Sequence, residues 1–464
     1  MIDAEPGWEK RDPEQPFELR HMPDHKRRFI WFCSTEYVAE HPDSLKKLRD
    51  EIGLTTIMPE SHICHTSGFR ASKEIAARGP FEDWRSRAHL SPKIDEGIYP
   101  AVAGTVSGFD DTPLLKVIDA ARDAGLEIWG HIGLWSYGGE VFPEYAMKDV
   151  EGKGLDMRCH KWGIGLCPSN RVVNEWTRDC LVDVIGRYDI DGFDVDHARF
   201  PASANISSLF GCACESCAEE ATRLGFDFDS MKEGMLNLKN RLRNVQTAGI
   251  QAGDAWEQLE SCSDGQFQEW LKFRASLLAD WMKIFRDAVR SAAGEDKVFG
   301  SDVWPPSVAL LGGHDYELWE RGADYLTGGS SACGVVGWAT TVTNLATEWA
   351  SFLCEQAQGL DEQAAFRLVF GMFDYEKFEL SHSVKEIQEG PLPITEMYEY
   401  EVRKLKSSVS GNLPLYPPIS ASGDAVCTRK LCEAVATNDC DGALFTLDPK
   451  NAESLRVIRD VFGQ

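Results

Sequence analysis

Asp191-Gly192-Phe193-Asp194-Val195-Asp196-His197-Ala198-Arg199-Phe200-Pro201 sets carboxylates, an imidazole and a guanidinium at the end of a short run that reads as a buried β-strand. Successive side chains of a strand alternate between faces, so Gly192, Asp194 and Asp196 share one side and Phe193 and Val195 the other. The apolar side must pack on helices. That turns both aspartates into the interior of a closed sheet, with Asp196 and Arg199 nearest the C-terminal mouth, the end at which (β/α)8 barrels carry their active sites. The rise per residue puts the two aspartate Cα atoms roughly 6.5–7 Å apart. An Asp–Arg pair that merely holds a loop is the competing explanation, since ion-pair networks also perturb carboxylates.

The flanking sequence repeats this pattern. Short apolar runs alternate with amphipathic segments from near residue 28 onward, the signature of a parallel sheet wrapped in helices. About eight strands are expected, at 29–33, 55–58, 127–133, the run carrying Asp194 and Asp196, 298–304, 325–328, 413–416 and 443–447. Helices are expected at 41–51, 112–124, 171–188, 270–289, 345–358, 395–408, 424–438 and 452–462. The clearest is 270–289, where Trp270, Phe273, Leu277, Trp281, Ile284 and Ala288 recur on one stripe. The run 366–373 is also strand-like, because short apolar runs cannot be typed by periodicity alone. The expected architecture is an α/β (β/α)8 TIM barrel over 28–464 after an N-terminal extension over 1–27, with βα-loop insertions at 61–110, 134–170, 198–262 and 359–394.

Composition narrows the function classes. The 464 residues carry 74 acidic and 48 basic side chains, a formal net charge of −26, which repels phosphate backbones and anionic membrane surfaces. Nucleic acid and membrane are therefore not expected partners. No uninterrupted apolar segment approaches the roughly 18 residues that span a bilayer, and the N-terminus lacks the pattern of an export signal. A soluble, cytoplasmic protein is expected, with its 14 cysteines reduced or ligating metal rather than paired. Neither G-x-x-x-x-G-K-[ST] nor G-x-G-x-x-G after a strand is present, so a nucleotide site has no support.

With the strands closed in order, Glu60, His131, Asp194, Asp196, His197, Asp302 and Asp448 converge on one rim. On the third strand Ile128 and Ile132 face helices, which turns Trp129 and His131 inward; on the fifth, Val298, Gly300 and Asp302 share a face. Paired carboxylates are what glycosidic cleavage requires, one protonating the leaving oxygen while the other attacks the anomeric carbon or activates water. Asp196 is the candidate nucleophile or base. Asp302 ranks ahead of Glu60 as general acid, and Asp194 comes third because a deep position suits a hydrogen-bonding orienter. His131, His197, Arg199 and Asp448 are candidate sugar contacts, although an inward histidine is equally a satisfied core residue. Trp135, Trp162, Trp304 and Trp338 fall in loops after strands, where an indole can stack on a pyranose or pack the loop.

Cys212-x-Cys214-x-x-Cys217 lies in the connection after the fourth strand, with Cys159 and Cys167 in the one before it. Three thiolates at this spacing plus a fourth, Cys167, make a closed tetrahedral set suited to a structural zinc, the alternative being ordinary buried thiols. His62-x-x-His65 is a weaker metal signal.

These residues resemble a known group. Asp191-Gly192-Phe193-x-x-Asp196-x-x-Arg199-Phe200-Pro201 is similar to the fourth-strand motif of the glycoside hydrolase-like (β/α)8-barrel family, D-G-[IV]-x-x-D-[YD]-x-R-[FY]-P. Leu166-Cys167-Pro168-Ser169-Asn170 resembles that group's C/N-P-S-N segment, and Phe273-Arg274 its shared F-R pair. The cysteine cluster resembles one found in several of these proteins and in barrel β-galactosidases that hold zinc with a fourth cysteine. The resemblance implies an active-site role for Asp196 and a supporting one for Arg199. His197 and the extra Asp194 depart from the group's pattern, and the adjacent Asn-Glu of the β-glycosidase barrels is absent.

The expectation is a glycosidase with a carbohydrate substrate, needing no cofactor for catalysis. A carbohydrate-binding barrel without turnover is one rival. Metal-dependent hydrolase or lyase chemistry at His62, His65, His131 and Asp302 is another.

Overall fold

In the computed structural model, described over residues 27–59, 69, 71–72, 74–75, 111–135, 139, 142–155, 165–196, 198–200, 209–242, 255–328, 337–356, 360–410, 413–421 and 424–463, the strands form one all-parallel sheet. They are β1 (Arg28–Cys33), β2 (Thr56–Pro59), β3 (Glu127–Gly133), β4 (Gly192–Asp196), β5 (Val298–Val303), β6 (Leu326–Gly328), β7 (Leu415–Tyr416), β8 (Pro418–Ser420) and β9 (Gly442–Thr446). Neighbours follow chain order from β1 to β7, and β9 returns to pair with β1 through Arg28↔Gly442 to Trp31↔Phe445. The result is a nearly closed (β/α)8 barrel with helices between its strands and long βα insertions.

The expected seventh strand is split. β7 pairs with β6 through Leu326↔Leu415 and Thr327↔Tyr416, whereas β8 pairs with β9 through Pro418↔Leu444 to Ser420↔Thr446. Pro417 and Pro418 have no N–H to donate, so the ladder breaks there. Their carbonyls still accept: the Leu444 amide donates to the Pro417 oxygen at 3.1 Å. The chain thus hands its pairing from one neighbour to the other across Pro417.

Side-chain alternation separates two apolar regions. Phe29, Trp31, Ile128, Ile132, Phe193, Val195, Phe299, Ala443 and Phe445 join the large core under the helices. Ile30, Phe32, Met58, Trp129, Tyr325, Tyr416 and Leu444 form a separate cluster inside the barrel. Trp129 stacks on Tyr325 with ring centroids 4.1 Å apart, filling the interior below the mouth. Gly300 makes room for this pair, since a Cβ there would lie 2.2 Å from the Tyr325 ring.

The long helix is Phe267–Ala293, about a turn longer at each end than its aromatic stripe predicts, and it buries Trp270, Phe273, Leu277, Trp281 and Phe285. The run 366–373 is helical rather than extended. Helix Glu362–Phe373 starts at Asp361, whose carboxylate accepts the Ala364 amide at 2.8 Å, and from Ala364 onward it is buried except at Arg367 and Gly371. The segment after β4 holds three further helices, Glu215–Leu224, Phe228–Leu242 and Ala255–Cys262. Among the described residues no helix is long and apolar enough to cross a membrane.

Candidate active site at the mouth of the barrel

The register of β3 against β4 sets His131 beside Asp194 and Gly133 beside Asp196. His131 Nδ1 lies 3.2 Å from Asp194 Oδ2, and its Nε2 lies 3.6 Å from Asp196 Oδ2. Burial opposes charge on this ring, but the two carboxylates outweigh it and raise the His131 pKa to about 10. The side chain is therefore an imidazolium at neutral pH, packed edge-on against Phe32. Asp194 is fully buried, and its other oxygen accepts a 2.7 Å hydrogen bond from the Thr327 hydroxyl. Both oxygens of Asp194 are thus engaged, one by His131 and one by Thr327. Asp196, one step nearer the mouth, keeps 13% of its side chain exposed.

β5 completes the group. Val195 pairs with Ser301, so the next residue, Asp302, stands beside Asp196, and on its other side Asp302 pairs with Thr327. Burial and then the charges of Asp196 and Asp194 push the Asp302 carboxyl well above the usual carboxylate range, although His131 and Arg199 pull the other way.

The loops after β4 and β5 are joined. The Trp304 amide donates to Nδ1 of His314 at 3.0 Å, which leaves Nε2 as the protonated nitrogen that donates to the Ala198 carbonyl at 3.0 Å. Burial keeps His314 neutral, with a pKa lowered to about 3. The Phe200 amide donates to the Gly312 carbonyl at 2.9 Å, and the Arg199 guanidinium sits 4.8 Å above the Trp304 ring. Arg199 and Trp304 thus meet at the rim beside Asp302.

Other candidates have different fates. Trp135 is not a stacking platform: it is 4% exposed, packs near Phe285 in the helical layer, and its Nε1 donates to Asn174 at 2.7 Å. Trp338 is likewise buried, against Gly328. Asp448 is exposed after β9, where its carboxylate accepts the Lys450 amide at 2.9 Å in a turn. Glu60, His62, His65, Cys159, Trp162 and His197 lie outside the described residues. Thr327, Tyr325 and His314 escaped the sequence reading. Alternation along 325–328 would have turned Tyr325 and Thr327 inward, whereas His314 sits in a loop that carries no periodic signal.

The four cysteines are gathered. The sulfurs of Cys167, Cys212, Cys214 and Cys217 all lie within 4.8 Å of one another. Cys167 is 3.5 Å from both Cys214 and Cys217, and Cys214 is 3.7 Å from Cys217, far longer than a disulfide bond. The Lys148 amide donates to Cys212 Sγ at 3.3 Å and the Ser169 hydroxyl to Cys217 Sγ at 3.2 Å. Burial pushes the Cys167 and Cys217 thiols up, while hydrogen bonds from its neighbours, Cys167 foremost, hold Cys214 down. Four sulfurs this close cannot all ionise without a cation among them.

No protein-family model matches the chain. No curated protein matches it either. Among solved structures it is similar to the glycoside hydrolase domain of PgaB (BpsB) from Bordetella bronchiseptica, with a TM-score of 0.52 and 10% identity over 94% of this chain and 98% of that one. A β-galactosidase from Bacillus circulans sp. alkalophilus (TM-score 0.43, 11% identity, 94% of this chain) is also similar, and the chain spans 55% of its length. The catalytic domain of a β-amylase from Paenibacillus polymyxa gives a TM-score of 0.43 and 11% identity over 94% and 95% of the two chains. At these identities the likeness to the PgaB domain is one of fold: the barrel is of the kind that glycoside hydrolases use.

Proposed function

We propose that the protein is a glycoside hydrolase in which Asp302 is the general acid and Asp196 the nucleophile or general base. The observation that carries this reading is the carboxyl pair at the mouth, Asp302 with its pKa raised by burial and by its acidic neighbours and Asp196 facing His131 Nε2 at 3.6 Å. Asp302 gives its proton to the glycosidic oxygen, which leaves with the electron pair of the broken C–O bond. Asp196 either bonds the anomeric carbon, from which water later displaces it while giving its proton to Asp302, or takes a proton from the water that attacks that carbon directly. Asp194 and Thr327 hold His131, while Arg199 and Trp304 line the approach to the substrate. These steps call on carboxylates alone.

The test is hydrolysis of aryl glycosides and natural oligosaccharides by the wild type, Asp196→Asn and Asp302→Asn, with anomeric configuration followed by NMR. Turnover in the wild type, lowered by about 10²–10⁴-fold in each variant, is the expected result. Activity unchanged by both substitutions overturns the assignment, and sugar binding without turnover moves the protein to the carbohydrate-binding class.

We also propose a structural zinc at Cys167, Cys212, Cys214 and Cys217. Tetrahedral zinc with Zn–S near 2.3 Å sets its sulfurs about 3.8 Å apart, close to the 3.5–3.7 Å observed among Cys167, Cys214 and Cys217, with Cys212 within 4.8 Å of each. Four protein ligands leave no open position, so the ion would staple the segments around Cys167 and Cys212 and take no part in catalysis. Such a thiolate set suits a reducing compartment such as the cytoplasm.

A further inference from the structure

Arg274, on the long helix, is fully buried, and its Nε, Nη1 and Nη2 atoms have no hydrogen-bond partner among the described residues. A guanidinium cannot escape this by losing its proton, because it stays charged at any ordinary pH. Leaving such a charge uncompensated in the interior is strongly unfavourable. The Phe200 ring, 4.6 Å away, offers a cation–π contact, which is weaker than that penalty. The helix that carries Arg274 packs on this site: Trp270, one turn before it, donates its Nε1 proton to the carbonyl of Leu209, close in sequence to Cys212, at 3.0 Å, and negative charge on Cys212 and Cys217 would favour the cation against its burial. As neutral thiols they do nothing for it, whereas four thiolates around one divalent ion carry a net charge of about −2 by simple count.

We propose that Arg274 is the internal counter-cation of a metal tetrathiolate at the four-cysteine site and, stacked on Phe200, ties that site to the rim segment 198–200. The proposal rests on the zinc reading above. Phe200 follows Arg199 directly, and its amide is already bound to Gly312. A metal that holds Arg274 in place therefore also holds the ring beneath the residue that meets Trp304.

The experiment crosses metal content with Arg274→Met. Zinc affinity is measured by chelator competition on the full-length chain, thermal midpoints are recorded with and without zinc, and hydrogen exchange is followed at the Phe200 amide. Wild type is expected to bind zinc about 10–100-fold more tightly than Arg274→Met, the usual size of an outer-sphere effect. Without metal the order of stability reverses: Arg274→Met is at least as stable as wild type, since an uncompensated buried charge has been removed. Arg274→Lys, which keeps the charge, recovers part of the affinity. Zinc removal speeds exchange at Phe200 in wild type and leaves it unchanged in Arg274→Met. Wild type that binds no zinc overturns the zinc reading itself. Wild type that binds zinc with the same affinity as Arg274→Met leaves that reading standing and overturns the role of Arg274.

Discussion

His131 and Asp302 sit within one barrel mouth with their pKa values both shifted upward, and both make stability depend on pH in the same sense. His131 has a folded-state pKa of about 10 against 6.5 for the free side chain. Its contribution is therefore fully present below pH 6.5 and is lost as the pH rises through about 10. An NMR titration of the His131 ring should show its transition near pH 10 in the wild type, and nearer the ordinary histidine value in Asp194→Asn. A midpoint near neutrality in the wild type would remove the charged histidine from the site. Asp302, also raised, loses stability as the pH climbs above the ordinary carboxylate range. Asp302→Asn should accordingly unfold at higher urea concentration than wild type at neutral pH while losing activity. His314, lowered to about 3, acts with the opposite sign: its contribution is complete above the usual histidine pKa and falls away toward acid.

At the scale of elements, the interior of the barrel decides which strands tolerate a side chain. β5 turns Val298, Gly300 and Asp302 inward, and the floor of the site is the Trp129–Tyr325 stack, with the Tyr325 hydroxyl donating to the Phe193 carbonyl at 2.8 Å. Gly300→Ala drives a methyl group into the Tyr325 ring. Overpacking of this kind costs about 1–3 kcal/mol. A fall of that size in unfolding free energy, measured in urea, is expected; an unchanged midpoint would mean that the ring moves aside freely.

On the scale of the whole molecule, the barrel depends on joining its first and last strands. Phe29 of β1, Phe445 of β9 and Phe462 of the final helix Ala452–Phe462 meet there, with Phe29 and Phe462 centroids 5.0 Å apart. Phe462→Ala opens this seam, and a loss of about 3–5 kcal/mol is expected in denaturant unfolding; a loss well under 1 kcal/mol would show that the seam is held by β1–β9 hydrogen bonds alone. Much of this architecture was legible along the chain. Alternation placed Asp194, Asp196, His131 and Asp302 on inward faces, because in a strand buried on both sides the identity of one face dictates the other. Helix 112–124 and the final helix coincide with their apolar stripes for the same local reason. The helical state of 366–373 was not legible, since so short a run, apolar but for Arg367 and Gly371, carries too little periodicity to type and takes its form from the helices around it. Nor was the split at Pro417, the neutral His314 clamp, or the burial of Trp135, each of which depends on partners distant in sequence. The sequence by itself determined which residues face the barrel interior, through the period-two geometry of the backbone. Only the tertiary structure decided which of them carry a proton, because burial and the neighbouring strands' charges set that state.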